Sequence, residues 1–143
     1  MPVLAQKLGI KSGQRVCLLD APREAAALLQ REMPEGMSFS ETLGSGRYDV
    51  IIFWPTQLLG LAERFAELQR RIAPDGAIWA VIPNARYAKA RGINFRWEEM
   101  QAAALKTDLV DNKTASLSEE EYATRFVIRK ERRGRYANIT RGG

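Results

Sequence analysis

Tyr48-Asp-Val-Ile-Ile-Phe-Trp54 is the stretch on which the fold turns. Six of its seven residues are apolar or aromatic, and they do not alternate with polar ones. A strand wet on one face alternates, whereas a parallel strand covered on both faces reads as a continuous apolar run. Just downstream, Leu58, Leu61, Ala62, Phe65, Leu68 and Ile72 recur at helical spacing, with Glu63, Arg64, Glu67, Gln69 and Arg70 outside that stripe. Thr56 is placed to cap this helix. Pro74-Asp-Gly76 is placed to end it and turn into a second buried strand, Ala77-Ile-Trp-Ala-Val-Ile82.

The same pattern extends in both directions. Gln14-Arg-Val-Cys-Leu-Leu-Asp20 reads as a buried strand entered through the Ser12-Gly13 turn. Pro22 then opens a helix over residues 23–31, Met33-Pro-Glu-Gly36 breaks it, and residues 37–43 read as a weak strand. Past Ile82, residues 83–92 read as a cation-rich loop, and Asn94 opens a helix to about Thr107. Residues 109–117 and 122–130 read as two strands joined by Ser118-Glu-Glu-Glu121, with Tyr122, Thr124, Phe126 and Ile128 on one face. This order predicts an α/β fold: a three-layer α/β/α sandwich on a mostly parallel sheet that closes with an antiparallel hairpin. A single domain is expected over residues 1–130, followed by a basic, flexible tail over 131–143.

Composition narrows the chemistry. The 143 residues, 45% hydrophobic and 27% charged, suit one soluble domain. With no histidine and one cysteine, the chain has no Ser-His-Asp or Cys-His nucleophile, no HExxH or Cys/His zinc site, no intrachain disulfide and no iron–sulfur cluster. No metal is expected. No signal peptide or membrane-length apolar run is visible, and the lone Cys17 sits in an apolar run. A reducing cytoplasm and a core role for Cys17 are therefore expected. Residues 1–128 hold sixteen Lys and Arg against sixteen Asp and Glu, so the net charge of +5 lies wholly in the last fifteen residues.

The order of elements resembles the class I S-adenosylmethionine-dependent methyltransferase fold, a Rossmann-like architecture. Asp49-Val-Ile-Ile-Phe-Trp54 is similar to that family's fourth strand. Ile72-Ala-Pro-Asp-Gly-Ala-Ile-Trp79 is similar to its L-x-P-G-G-x-L turn, with Asp75 in place of the first glycine. The cofactor half departs from the pattern. The family follows its first strand with an acidic residue and a glycine-rich loop, whereas here Asp20 is followed by Ala-Pro-Arg-Glu24, with no glycine between Gly13 and Gly36. The space between the second and third strands is too short for the family's extra strand and helix. The run from Leu8 to Pro22, with Pro34-Glu-Gly36 and residues 73–79, also resembles a family of small bacterial proteins of unknown function. That family is similar to a cut-down methyltransferase fold without the glycine-rich motif.

Candidate sites follow from the sheet, because open α/β sheets bind ligands beyond the carboxyl ends of their strands. Asp20, Trp54 and Thr56 lie there and are the cofactor-binding candidates; Asp20 reads equally as a cap for the next helix. Trp54 and Trp79 are expected in the core, Trp97 against the sheet, and Tyr87 exposed. Arg86, Lys89, Arg91 and Arg96 surround the amino end of a helix with no acid among them, an anion-binding pattern whose plain alternative is a solvated basic loop. Arg132, Arg133 and Arg135 form a tail that reads either as solvated or as a nucleic-acid contact. No catalytic residue emerges, and Glu98 and Glu99 diverge by about 100° on their helix.

The expectation is a methyltransferase-like module that is not catalytic, binding a partner or an anionic ligand at the carboxyl edge with no cofactor. One alternative is an S-adenosylmethionine-dependent methyltransferase with an atypical cofactor loop. The other is a nucleic-acid-associated protein that uses the tail. No membrane partner is expected, and the edge strand left by a shortened sheet allows a homodimer.

Overall fold

A computed structural model describes residues 3–136 apart from 35 and 37. The elements run α1 (Val3–Lys7), β1 (Arg15–Leu19), α2 (Arg23–Glu32), β2 (Ser38–Ser40), β3 (Tyr48–Phe53), α3 (Leu61–Gln69), β4 (Ile72–Pro83), α4 (Ala85–Ala88), α5 (Trp97–Leu105), β5 (Leu109–Ser116), β6 (Glu121–Ile128) and a closing 3₁₀ helix (Lys130–Tyr136). The six strands stand in the order β2-β1-β3-β4-β6-β5. The pairs β1–β2, β1–β3 and β3–β4 are parallel, and β4–β6 and β5–β6 are antiparallel. The expected mixed sheet with its terminal hairpin is therefore present.

The continuous apolar strands follow from two separate cores. Side chains alternate across a strand. Cys17, Leu19, Ile51, Phe53, Ile78, Ile82, Phe126 and Ile128 pack with α3 and α5 residues such as Phe65, Leu68 and Met100. Val16, Leu18, Val50, Ile52, Trp79, Val81 and Ala123 pack on the other face with Leu4, Leu8 and Leu29 from α1 and its flank and from α2. Phe65 joins the first core by edge-on contacts to Phe53 and Phe126, with centroids 5.4 and 5.1 Å apart. Trp79 is fully buried, and its indole donates to the Leu8 carbonyl at 3.0 Å, fastening the end of α1 to the sheet.

Several local expectations are corrected. α3 starts at Leu61 rather than at Thr56, and its N-cap is Gly60, held in the left-handed region at φ 78°. Glycine adopts that conformation without penalty, so the turn forms there and Thr56 caps nothing. Pro74-Asp-Gly76 does not end the helix, which stops at Gln69, but lies inside β4. Tyr48 pairs with Ile72 and Val50 with Ala77, so these residues form a bulge. A side chain at Gly76 would sit 2.8 Å from the Asp49 carbonyl oxygen.

The helix expected from Asn94 begins at Trp97, where the Glu99 carboxylate accepts the Arg96 backbone N–H at 2.9 Å. The cation-rich loop contains the short α4, and α1 had no signal in the sequence reading. The weak strand shrinks to three residues at the sheet edge.

The basic tail is folded as far as the structure describes it. Asp108 accepts hydrogen bonds from Arg132 and from the Tyr136 hydroxyl, each at 2.7 Å, and Tyr136 is buried. Residues 131–136 of the basic stretch thus form a docked turn. Residues 137–143 lie outside the described residues.

Candidate functional site

The carboxyl ends of β1 and β3 lie side by side, with Leu19 opposite Phe53 and the Trp54 N–H donating to the Leu19 carbonyl at 3.2 Å. Asp20 follows at φ 60°, the one non-glycine among the described residues in the left-handed region. That turn sends the chain through Ala21 to Pro22, which takes the N-cap position of α2 without any side-chain cap bond. The capping role considered for Asp20 is therefore not the one it has: the backbone turns away before the helix begins.

Asp20 lines a cleft of about 300 Å³ together with Trp54, Thr56, Leu59 and Arg64. The three residues picked from the sequence as cofactor-binding thus share one cleft. Leu59 stands at it with 85% of its surface exposed. Arg64 is tied to Glu67 one turn along α3, at 2.6 Å.

Three of the four cations of the basic loop have separate partners. Arg86 lies over the ring of Tyr87, 5.3 Å from its centroid, and Tyr87 is half-buried instead of exposed. Arg91 pairs with Glu121 at 2.7 Å, and Arg96 lies 3.8 Å from Glu99. Lys89 is exposed. The amino end of α5, read as a place for an anion, receives the carboxylate of Glu99 from its own first turn. In the tail, Arg132 and Arg135 both face Asp108, at 2.7 and 3.5 Å, and Arg133 donates to the Ile128 carbonyl at 3.0 Å. A phosphate backbone contacting Arg132 would have to compete with that carboxylate.

Glu121 is the residue the sequence reading passed over. Within Ser118-Glu-Glu-Glu121 it looks like one more solvated turn acid. Antiparallel pairing, however, sets it opposite Pro83 at the carboxyl end of β4, 9% exposed. There its Oε2 accepts from the Trp54 indole at 3.2 Å and from Arg91 at 2.7 Å. The one available signal was strand period: residue 121 shares a face with Ala123, which is buried.

Trp54 and Trp79 are buried as expected, and Trp97 donates to the Thr124 hydroxyl at 2.8 Å against the sheet. Burial pushes the Cys17 thiol up from its ordinary range, which suits a core residue and not a nucleophile. Among the described residues, no group of three acidic, Cys or His side chains is placed to hold a metal. None of the described helices is long and apolar enough to cross a membrane.

Comparison with solved structures defines the fold. The chain has the fold of the S-adenosylmethionine-dependent methyltransferases. A TehB-like SAM-dependent methyltransferase from Corynebacterium glutamicum superposes with a TM-score of 0.54 at 11% identity, over 90% of this chain and 86% of that one. The N-methyltransferase NodS from Bradyrhizobium japonicum gives 0.58 at 11% identity, over 90% and 93%. Magnesium protoporphyrin IX methyltransferase from Synechocystis, solved with bound SAH, gives 0.59 at 12% identity, over 89% and 80%. At such identities the likeness is one of fold. No family model and no curated protein matches the chain.

Proposed function

We propose that the chain is a methyltransferase-fold module that binds a small ligand at the carboxyl edge of its sheet and does not turn it over. The observation that carries this reading is the convergence of Asp20, Trp54 and Thr56 on one cleft at two adjacent parallel strand ends. One carboxylate and one guanidinium, Asp20 and Arg64, line it. They suit a polar ligand with hydroxyl or ammonium groups for Asp20. No second carboxylate lines the cleft to share proton transfer with Asp20.

The residues do not form a cradle for S-adenosylmethionine. Asp20 offers a carboxylate of the right kind for ribose hydroxyls or an ammonium. The backbone beside it does not match, because Pro22 at the N-cap has no N–H to give. No glycine lies between Gly13 and Gly36 to let a nucleoside approach bare backbone. Cofactor-dependent methyl transfer is kept as a second reading because of the fold and the occupied SAH site in one of the similar structures.

One set of titrations separates the two. Calorimetry with S-adenosylmethionine and S-adenosylhomocysteine is expected to give no heat of binding from folded protein. Saturable binding that disappears in Asp20→Ala would replace the first reading with the second. In parallel, a thermal-shift screen of nucleosides, polyols and amino acids is expected to give stabilising compounds whose effect is lost in Asp20→Ala and in Thr56→Trp. A screen in which neither change removes any effect would overturn the cleft as the site.

A further inference from the structure

β1, β3 and β4 are parallel neighbours, so they begin at one edge of the sheet, opposite the edge that holds Asp20. An arginine stands at the start of each: Arg15 opens β1, Arg47 directly precedes β3, and Arg71 directly precedes β4. The Tyr48 N–H donates to the Arg71 carbonyl at 2.8 Å, which brings the last two starts together. The turn Gly44-Ser-Gly46 leads into Arg47.

The side-chain acceptors of these three guanidiniums are neutral carbonyls. Arg15 Nη1 donates to the Arg47 carbonyl at 2.9 Å, and its guanidinium lies 4.2 Å from the centroid of the Tyr48 ring. Arg71 donates through Nη2 to the Gly44 carbonyl, and through Nε and Nη2 to the Gly46 carbonyl at 3.3 and 3.2 Å. Arg47 Nη1 donates to the Ile72 carbonyl at 2.6 Å. By contrast, Arg64, Arg91, Arg96, Arg132 and Arg135 each lie within 3.8 Å of a carboxylate. Among the described residues, Arg15, Arg47 and Arg71 form no such ion pair.

Arg47 is where this arrangement is incomplete. It is 3% exposed, and its Nε is buried with no hydrogen-bond partner, the one side-chain atom so left among the described residues. The Tyr136 ring, 5.6 Å from its guanidinium, offers only a quadrupole in place of a counter-charge. Burial holds the guanidinium below its ordinary value; Tyr136 opposes this and the Arg71 charge adds to it. Buried charges are ordinarily paired, and a buried donor without an acceptor costs free energy until one reaches it.

The surroundings admit an ion. Arg15 and Arg71 are half-buried, and Gly44 and Ser45 are exposed. Both guanidiniums border Gly44: a methyl group there would stand 3.7 Å from Arg15 Nη2, and Arg71 donates to its carbonyl. Each guanidinium has five N–H donors, so neither is exhausted by these carbonyls. An ionised acceptor takes such donors more strongly than a carbonyl does.

We infer that this amino edge is a binding site for a phosphate dianion, free or carried as a monoester, seated at the Gly44–Gly46 turn between Arg15 and Arg71. One of its oxygens supplies the acceptor that Arg47 Nε lacks. The third positive charge, coming from the interior, favours two negative charges over one. The site is independent of the cleft at Asp20.

The test is calorimetric titration of the full chain at constant ionic strength and about pH 8, where phosphomonoesters are dianions. The probes are inorganic phosphate and phenyl phosphate, with dimethyl phosphate as a singly charged control. Saturable binding of phosphate or phenyl phosphate at a Kd below about 1 mM is expected, with dimethyl phosphate about tenfold weaker or worse. Binding of inorganic phosphate alone identifies the free ion as the ligand, and equal or tighter binding of phenyl phosphate identifies an ester.

Arg15→Gln and Arg71→Gln are each expected to weaken binding by about tenfold, and Arg71→Lys by less, because it keeps the charge and loses the fork. Arg47→Met is expected to abolish binding while leaving the urea midpoint unchanged or higher, since an unpaired buried charge is removed. Asp20→Ala leaves binding unchanged. The proposal is overturned if neither phosphate saturates, if dimethyl phosphate binds as well as phenyl phosphate, or if Arg71→Gln and Arg47→Met bind like the parent. Binding lost in Arg135→Gln but kept in Arg71→Gln would place the ion on the closing 3₁₀ helix and overturn it as well.

Discussion

Asp20 shows how much a single residue of this chain is asked to do. At φ 60° it takes a backbone position that side chains ordinarily avoid, and its carboxylate reaches the cleft from there. Aspartate tolerates that region better than most residues, and β-branched ones tolerate it worst. Asp20→Val is therefore expected to cost about 1–2 kcal/mol in urea unfolding, while Asp20→Gly is close to neutral. Equal effects would show that the turn imposes no strain. Gly76 is the opposite case: its backbone is ordinary but the space is missing. A methyl group there would meet the Asp49 carbonyl at 2.8 Å, backbone that cannot rotate aside. Gly76→Ala is expected to lower stability by about 1–3 kcal/mol, and an unchanged midpoint would contradict the close approach.

At this scale the sequence was uneven. The burial of Trp54, Trp79 and Cys17 was legible because each sits in an apolar strand. Glu121 was not, because its burial depends on pairing with Pro83, thirty-eight residues earlier in the chain.

Among the elements, the closing 3₁₀ helix is held by the most charge. Asp108 faces Arg132, Arg135 and the Tyr136 hydroxyl. The Tyr136 hydrogen bond, followed by the arginines, holds the Asp108 carboxyl below its ordinary value, with burial opposing. Burial and the Asp108 carboxylate push the Tyr136 hydroxyl up to about 12. The signs give a window. Stability from Asp108 is present above the ordinary carboxylate value of about 3.9 and is lost as pH falls toward the lower folded value. Stability from Tyr136 is present below the ordinary tyrosine value of about 10 and is lost as pH rises toward about 12.

Docking should therefore hold across neutral pH and weaken at both extremes. The ultraviolet titration of Tyr136, compared with Tyr136→Phe, reads the upper limb directly. Asp108→Asn is expected to bring the tyrosine titration back toward its ordinary range and to flatten the acid limb of the stability curve. An unchanged titration would mean that the pair does not form in solution.

Elements whose signal lies inside them were readable: β1 and β3 announce themselves by apolar runs, β6 by its alternation of Tyr122, Thr124, Phe126 and Ile128, and α2 by its helix formers. α3 was displaced because Leu58 extends the helical pattern backwards, while the left-handed Gly60 prevents the helix from following. The docked turn was hidden because arginines read as solvent-facing until Asp108 is known to lie beneath them.

For the whole molecule, the six-stranded sheet is a wall shared by two cores. Neighbouring residues of β1, β3 and β4 point into opposite cores, so neither core can open without loosening the strands that carry the other. Urea unfolding followed by far-ultraviolet and near-ultraviolet circular dichroism is accordingly expected to give coincident transitions. Separated midpoints would show two independent units. The sheet order β2-β1-β3-β4-β6-β5 was inferable because buried parallel strands and a closing hairpin leave few arrangements. Which residues the topology gathers at the carboxyl edge was only half inferable. Strand ends point there by direction alone, but a turn such as Ser118-Glu-Glu-Glu121 arrives there only through its partner strand.

Trp54 stands between the Asp20 cleft and Glu121. It lines the cleft at the carboxyl edge of the sheet, and its indole donates to the Glu121 carboxylate. An indole held against a charge in a fixed direction has an excited state whose energy follows that charge. The wavelength at which this ring emits thus follows the Glu121 charge and whatever approaches the cleft, so the chain carries its own optical gauge at the edge of its sheet.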